Sequence, residues 1–126
     1  MTLPSQRRPA SAPGGDVAVL APQGELDIAT LQEFEAAMRR VLEPLEGPPR
    51  LVVDLRGVTF LECCTLGLLV RIRSQLAERG GWLRLVYRPT GRVATVIRLV
   101  RLHGVLPPYA DVAEAAAAQV GTAERC

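Results

Sequence analysis

The residues from Leu51 to Leu55 form a short run that is apolar except at Asp54. Such a run is typical of a strand that is covered on both faces, as strands of a parallel sheet are. Two further apolar runs, at residues 17–23 and 83–87, have similar lengths. Segments with apolar residues at helical spacing lie between and after these runs. The pattern predicts an α/β fold in which parallel strands are joined by right-handed helical crossovers.

The helical segments have recognisable start and stop signals. The first opens at Asp27 or Thr30, and residues 30–33 (Thr-Leu-Gln-Glu) fit the capping-box pattern. The second runs from about Cys64 to Arg79, where Gly80-Gly81 stops it. The remaining predicted elements are a third helix over residues 90–103, a short strand at 105–106 and an Ala-rich helix over 111–119. The sequence therefore predicts a small mixed or parallel sheet of four to five strands with about four helices packed on it.

The 126 residues leave room for one domain with one core. Residues 1–15 are rich in Pro, Gly and Ser, which predicts a flexible tail. Pro9 and Pro13 argue against an additional edge strand in that tail. The domain is expected over residues 16–120, with a short C-terminal tail over residues 121–126.

The charges are distributed unevenly along the chain. Residues 1–49 carry 4 Arg against 7 acidic residues, whereas residues 50–101 carry 10 Arg against 3. A basic half can attract nucleic acid, acidic membranes or an acidic protein. These arginines are dispersed, however, and Arg92, Arg98 and Arg101 are at helical spacing without aromatic residues among them. We interpret them as a solvated helix face and expect no nucleic-acid partner.

Several other classes of protein are disfavoured by the composition. No apolar run approaches the roughly 20 residues that span a bilayer, and no signal peptide is recognisable, so we expect a cytoplasmic protein. Cys63 and Cys64 are adjacent and predict no disulfide framework. His103 is the single histidine, and neither metal-ligand spacing nor a cofactor motif is present. Because the chain also lacks a phosphate loop and a nucleophile with a base, we expect no enzyme.

Two motifs in register carry a resemblance to a known family. The first is Gly24-Glu25-Leu26-Asp27 followed by Thr30, and the second comprises the run from Leu51 and the segment Val58-Thr59-Phe60-Leu61-Glu62-Cys63-Cys64-Thr65-Leu66-Gly67. Together they resemble the STAS domain of bacterial anti-sigma factor antagonists. There, a similar turn precedes the strand, and a Ser-(Ser/Thr) pair opens the second helix. The resemblance covers roughly residues 17–119.

This resemblance implies a protein-binding switch. Unphosphorylated family members bind an anti-sigma factor that is also a serine kinase, which frees a sigma factor for transcription. The kinase phosphorylates a Ser or Thr at the start of the second helix and the complex dissociates, after which a phosphatase resets the switch. A phosphate adds about −1.5 to −2 charges, which is enough to disrupt an interface that accommodated a neutral hydroxyl.

The family's phosphoacceptor position falls on Cys64 in this sequence, and a thiol does not form a stable serine-type phosphate ester. Thr65, one position later, is an alternative acceptor. It lies about 100 degrees further round the helix. The implied partner-binding residues are Glu25, Asp27, Glu62, Cys63, Cys64, Thr65 and Gly67. Phosphorylation is therefore either lost, giving constitutive binding, or moved to Thr65.

Two other functions remain open at the level of sequence. The chain could be a STAS accessory subunit of a membrane transport ATPase, such as a lipid transport system. It could also be a thiol-based sensor that uses Cys63 and Cys64, because a helix N-terminus lowers the pKa of a thiol. The sequence leaves the oligomeric state undetermined.

Overall fold

The computed structural model describes residues 2–8 and 16–118. Seven strands and four helices are present in this part of the chain. In chain order they are β1 (Ser5–Arg8), β2 (Val17–Leu20), β3 (Gly24–Leu26), α1 (Leu31–Leu42), β4 (Arg50–Asp54), β5 (Val58–Leu61), α2 (Cys63–Glu78), β6 (Trp82–Val86), α3 (Arg92–Leu99), β7 (Pro108–Tyr109) and α4 (Val112–Ala117).

The main sheet has five strands in the order β1-β2-β4-β6-β7. Strands β2, β4, β6 and β7 are parallel to their neighbours, whereas β1 pairs with β2 in the antiparallel direction. Strands β3 and β5 form a separate two-stranded parallel sheet. The predicted mixed α/β architecture with about four helices is therefore confirmed.

Alternate residues of the main sheet contribute to two apolar clusters. On one face, residues such as Leu51 and Val53 pack with the buried stripes of α1, α2 and α3. On the other face, Val52, Trp82 and Val86 pack with Ala115 of the short helix α4. Because both faces are covered, β4 is fully buried at its centre, as its apolar run predicted.

The N-terminal segment contains an edge strand, although Pro9 and Pro13 argued against one in the sequence. Residues Ser5–Arg8 form β1 at the edge of the main sheet. Pro4 stands directly before this strand, and its carbonyl accepts a hydrogen bond from Ala21 N–H at 2.8 Å. A proline at this place removes no donor from the ladder, so it is compatible with an edge strand. Residues 9–15, with Pro9 and Pro13, and residues 119–126 lie outside the described residues, so the predicted tails remain predictions.

The region after β6 also differs from the sequence-based expectation. Helix α3 ends at Leu99 because Arg101 adopts a left-handed backbone conformation, with φ of 61°, and Leu102 N–H bonds back to the carbonyl of Ile97. The predicted strand at residues 105–106 is wrong, since both N–H groups donate to the carbonyl of Leu102 in a turn. The strand is instead β7, three residues further along.

Candidate functional site

Pairing of β3 with β5 brings the two sequence motifs together. Leu26 lies opposite Leu61. The turn that begins at Asp27, after β3, and the start of α2, after β5, therefore lie side by side at the same end of the small sheet. The carbonyl of Leu26 accepts a hydrogen bond from Glu62 N–H at 2.9 Å and another from the Thr65 hydroxyl at 3.2 Å. These contacts fix the first turn of α2 against the turn that precedes α1.

The turn before α1 is closed by Asp27 and Thr30. The Asp27 carboxylate accepts from Thr30 N–H at 3.1 Å, and the Thr30 hydroxyl oxygen accepts from Asp27 N–H at 3.0 Å. Thr30 directly precedes α1 at the N-cap position, but its side chain caps no N–H of the helix. The predicted capping box is therefore wrong, because the Thr30 hydroxyl is engaged with the preceding turn instead. Asp27 acts as the local support of this turn.

The start of α2 has no side-chain cap. Glu62 precedes the helix in extended conformation, and its carboxylate accepts from Ile28 N–H across the site at 3.3 Å instead of from the helix. The backbone N–H groups of Cys63 and Cys64 have no hydrogen-bond acceptor among residues 2–8 and 16–118. A helix start of this kind presents free donors and a partial positive charge to whatever binds there.

The three residues at the predicted switch differ sharply in accessibility. Cys63 is exposed and Cys64 is half-buried. Thr65 is only 1% exposed, and its hydroxyl donates to the carbonyl of Leu26 inside the structure. The hydroxyl that could replace the family's acceptor is thus the least accessible group of the three.

An exposed surface surrounds this helix start, and we call it the α2 N-terminal surface, formed by Ile28, Glu62, Cys63 and Gly67. Ile28 is a large apolar side chain, and it is 68% exposed. Gly67 lies one turn after Cys63 on the exposed side of α2, and a Cβ atom there would meet nothing within 4 Å. Internal packing therefore does not require glycine at this position, and the surface of α2 is open there.

Ile28 was missed by sequence reasoning. Its signal was present, because it is a large apolar residue in a turn, outside the apolar stripe of α1. The predicted residues Glu25, Asp27 and Glu62 are brought near one another by the small sheet, and Glu25 is exposed. None of the three carboxylates forms an ion pair with an arginine in the described part of the chain. The neighbourhood of the α2 N-terminal surface is therefore acidic and open.

Among the residues that the structure describes, no group of three or more His, Cys, Asp or Glu side chains is placed to hold a metal ion. Within the same residues, no helix has the length and apolar character needed to cross a membrane.

Comparison with known proteins is consistent with these features. The family model described as STAS domain matches residues 11–115. The anti-sigma-F factor antagonist RsfA of Mycobacterium tuberculosis is 29% identical over 91 residues, which cover 72% of this chain and 70% of that protein. The crystal structure of an anti-sigma factor antagonist from Mycobacterium paratuberculosis is 26% identical, with a TM-score of 0.67 over 90% of this chain and 91% of the other.

A more distant structure shares the fold alone. The anti-sigma factor antagonist SpoIIAA in its unphosphorylated form is 14% identical and has a TM-score of 0.61 over 87% of this chain and 90% of the other.

Proposed function

Because this chain belongs to the STAS domain family, we propose that it is an anti-sigma factor antagonist. It binds an anti-sigma factor, one that is also a serine kinase, and so releases a sigma factor for transcription. The similar proteins from two mycobacteria carry the name of anti-sigma factor antagonists, which supports this assignment. The protein acts by binding in the cytoplasm and not by catalysis.

The observation that carries the proposal is the open start of α2 beside an exposed apolar side chain. Ile28 provides an apolar anchor, while the free N–H groups of Cys63 and Cys64 provide donors for a polar group of the partner. Gly67 allows the partner's backbone to approach closely. An apolar centre with a polar rim that carries hydrogen bonds is the usual composition of a protein–protein interface.

The position of the threonine supports constitutive binding. Phosphorylation of Thr65 would require its buried hydroxyl to give up the hydrogen bond to Leu26 and to place a dianion in the interior. Cys64, at the usual acceptor position, has no hydroxyl to modify. We therefore propose that the kinase binds this protein without inactivating it, so that sigma release depends on how much of the protein is made. A phosphatase is then not needed.

A binding titration tests the proposal. The purified chain is titrated with the kinase-type anti-sigma factor of the same genome, and compared with the Ile28→Glu variant and with Ala113→Glu as a control. Ala113 is an exposed residue of α4, on the other face of the sheet. Ile28→Glu should weaken binding about 10- to 100-fold, because it replaces an anchor by a charge near existing carboxylates. Ala113→Glu should bind as the unaltered protein does.

Absence of any binding by the unaltered, folded chain would contradict the proposal. In that case the alternative of a STAS subunit on a membrane transport ATPase becomes the better hypothesis, and co-purification with such a transporter would test it. Equal weakening by both variants would contradict the assignment of the site, because it would show a general response to added charge.

A further inference from the structure

A cleft lies at the carboxyl ends of two neighbouring parallel strands. Strands β4 and β6 end side by side, at Asp54 and Val86, and residues that follow them line the cleft together with the start of α3. The volume of the cleft is about 140 Å³. Its floor consists of buried side chains of the main core, namely Leu55, Val58, Tyr87 and Val93. The floor is thus part of the packed interior.

Arginine side chains form the rim of this cleft. Arg56 lies just after β4, Arg88 lies just after β6, and Arg92 is the first residue of α3. No carboxylate is among the described residues that line the cleft. The Arg56 guanidinium is paired, since it donates to the two carboxylate oxygens of Asp54 at 3.0 and 2.8 Å. Arg88 and Arg92 are exposed, and their side chains form no hydrogen bond or ion pair with described residues.

The start of α3 adds to this positive charge. No side chain caps the helix, and its first turn contains no acidic residue. The N–H groups of Arg92 and Val93 donate to no acceptor among residues 2–8 and 16–118. Free N–H groups give a helix start a partial positive charge, so an arginine side chain there is unfavourable unless an anion offsets it. Because these like charges surround one cleft, they indicate a site for a negatively charged group.

The size and charge of the cleft select the kind of anion. A water molecule occupies roughly 30 Å³ of liquid, so the cleft has room for about four or five groups of that size. A phosphoryl group with its ester oxygen fills this space, and the rest of a larger molecule would project into solvent. A phosphate monoester carries about −1.5 to −2 charges at neutral pH, which matches two unpaired guanidinium groups. Guanidinium groups also match the geometry of phosphate oxygens, to which they donate two hydrogen bonds at a time.

We propose that this cleft binds the phosphate group of a phosphate monoester. Arg88 and Arg92 offset its charge, and the N–H groups of Arg92 and Val93 donate to its oxygens. The site is separate from the α2 N-terminal surface, because Val58 and Glu62 lie at opposite ends of β5, more than about 10 Å apart along the strand. It therefore goes beyond the antagonist function and does not depend on it. A soluble phosphorylated metabolite and the headgroup of phosphatidic acid both present the required group.

Titration with two phosphate compounds tests the site. Inorganic phosphate and glycerol 3-phosphate are added to the isotope-labelled chain at constant ionic strength, and the amide signals are followed by NMR. We expect saturable shifts at Arg92 and Val93 with a Kd of about 1 mM. Arg88→Ala and Arg92→Ala should each weaken binding about 10-fold, because each removes a charge-assisted contact. Arg40→Ala removes an exposed arginine of α1 and is the matched control, which should stay within about 2-fold.

Two results would overturn the site. One is the absence of saturable shifts at the start of α3 with both compounds, and the other is equal weakening by Arg40→Ala and the cleft variants. Without ligand, Arg92→Ala should unfold at the same temperature as the unaltered chain or higher, because it removes a cation from a helix start. A lower unfolding temperature would contradict the argument from like charges.

Sedimentation with vesicles distinguishes the two sources of the phosphate group. Phosphatidylcholine vesicles with and without phosphatidic acid are compared, using the unaltered chain and the two cleft variants. Binding that requires phosphatidic acid, Arg88 and Arg92 would support the cleft and identify a lipid headgroup as its ligand. Binding of glycerol 3-phosphate without binding to these vesicles would support the cleft and identify a soluble phosphate monoester.

Discussion

Side chains cap helix α4 at both ends, whereas helix α2 is capped only at its C-terminus, by backbone hydrogen bonds. At the start of α4, the Asp111 carboxylate accepts from Glu114 N–H at 2.8 Å. At its end, the Arg84 guanidinium donates to the carbonyls of Ala115 and Ala118 at 2.8 and 2.7 Å. At the end of helix α2, Gly80 has φ of 79° and the Gly81 N–H donates to the carbonyl of Leu76 at 2.8 Å. The first turn of α2 has no side-chain cap.

The difference follows from what each helix needs in order to stay in place. Helix α4 has 6 residues, and a helix this short is marginal without external support. Helix α2 has 16 residues and a broad buried stripe, so packing holds it without a cap. The uncapped first turn of α2 can therefore serve a partner, while the ends of α4 serve stability. Changes at the two helices should accordingly separate stability from binding.

The largest effect is expected at the C-terminal end of α4. Arg84 is 2% exposed, and its guanidinium stacks 3.8 Å from the centre of the Trp82 ring. Arg84→Ala leaves two carbonyls of α4 without their donor and removes this cation–π contact, so the free energy of unfolding should fall by about 3 kcal/mol. Urea unfolding followed by circular dichroism measures this change.

Arg88→Ala is the matched control, since Arg88 is exposed beside the same strand and should change stability by less than about 0.5 kcal/mol. The folded fraction of Arg84→Ala should still bind the anti-sigma factor normally. A loss of affinity equal to that of the Ile28→Glu variant would show that the two regions are not separate.

Two substitutions, each at the residue before a helix, compare the starts of α4 and α2 directly. Asp111→Ala removes the cap of α4 and should lower the free energy of unfolding by about 1 kcal/mol, with no effect on binding. Glu62→Ala, at the equivalent position of α2, removes no cap and should lower it by less than about 0.5 kcal/mol. The affinity of Glu62→Ala for the anti-sigma factor should fall several-fold. Equal stability losses in both variants would contradict the claim that α2 is uncapped.

The smallest effect is expected at the end of β4, between the two regions. Burial raises the pKa of Asp54, but the side-chain and backbone hydrogen bonds from Arg56 outweigh it and hold the pKa below the usual 3.8. A depressed pKa in the folded state contributes stability above the unfolded value, and this contribution is lost as the pH falls through the folded value.

Asp54→Asn should therefore lower the free energy of unfolding by about 0.5 kcal/mol at pH 7, since the pair is partly solvated. The difference between the variant and the unaltered protein should disappear in acid, below the folded pKa. Unfolding curves at pH 7 and at successively lower pH measure it, and a difference that persists unchanged throughout the acid range would show that the ion pair is not its cause.

The sequence predicted the parts of the fold that depend on local pattern. The buried strand at Leu51, the stripe of α2 and its stop at Gly80-Gly81 are set by apolar spacing and by backbone freedom, both of which can be read locally. Strand β7 and the end of α3 could not be predicted in this way. A non-glycine residue, Arg101, takes the left-handed conformation there, although Gly104, three residues later, is of the residue type that favours it.

The sequence predicted most residues of the candidate site but not how exposed or buried each of them is. The motif placed Asp27 and Cys64 near one another, whereas the burial of Thr65 and the exposure of Ile28 depend on how β3 pairs with β5. Buried Arg84 gave no local signal either, because its partners are carbonyls of a helix about 30 residues later. Such long-range contacts are not encoded in the spacing of neighbouring residues.

The most direct test of the account uses the kinase itself. The unaltered chain and its Cys64→Ser variant are each incubated with the kinase-type anti-sigma factor and ATP, and intact mass is read alongside complex formation. We predict that the unaltered chain gains no mass and stays bound, while Cys64→Ser gains the mass of one phosphate and dissociates. A phosphate-sized gain on the unaltered chain that maps to Thr65, together with loss of binding, would contradict constitutive antagonism.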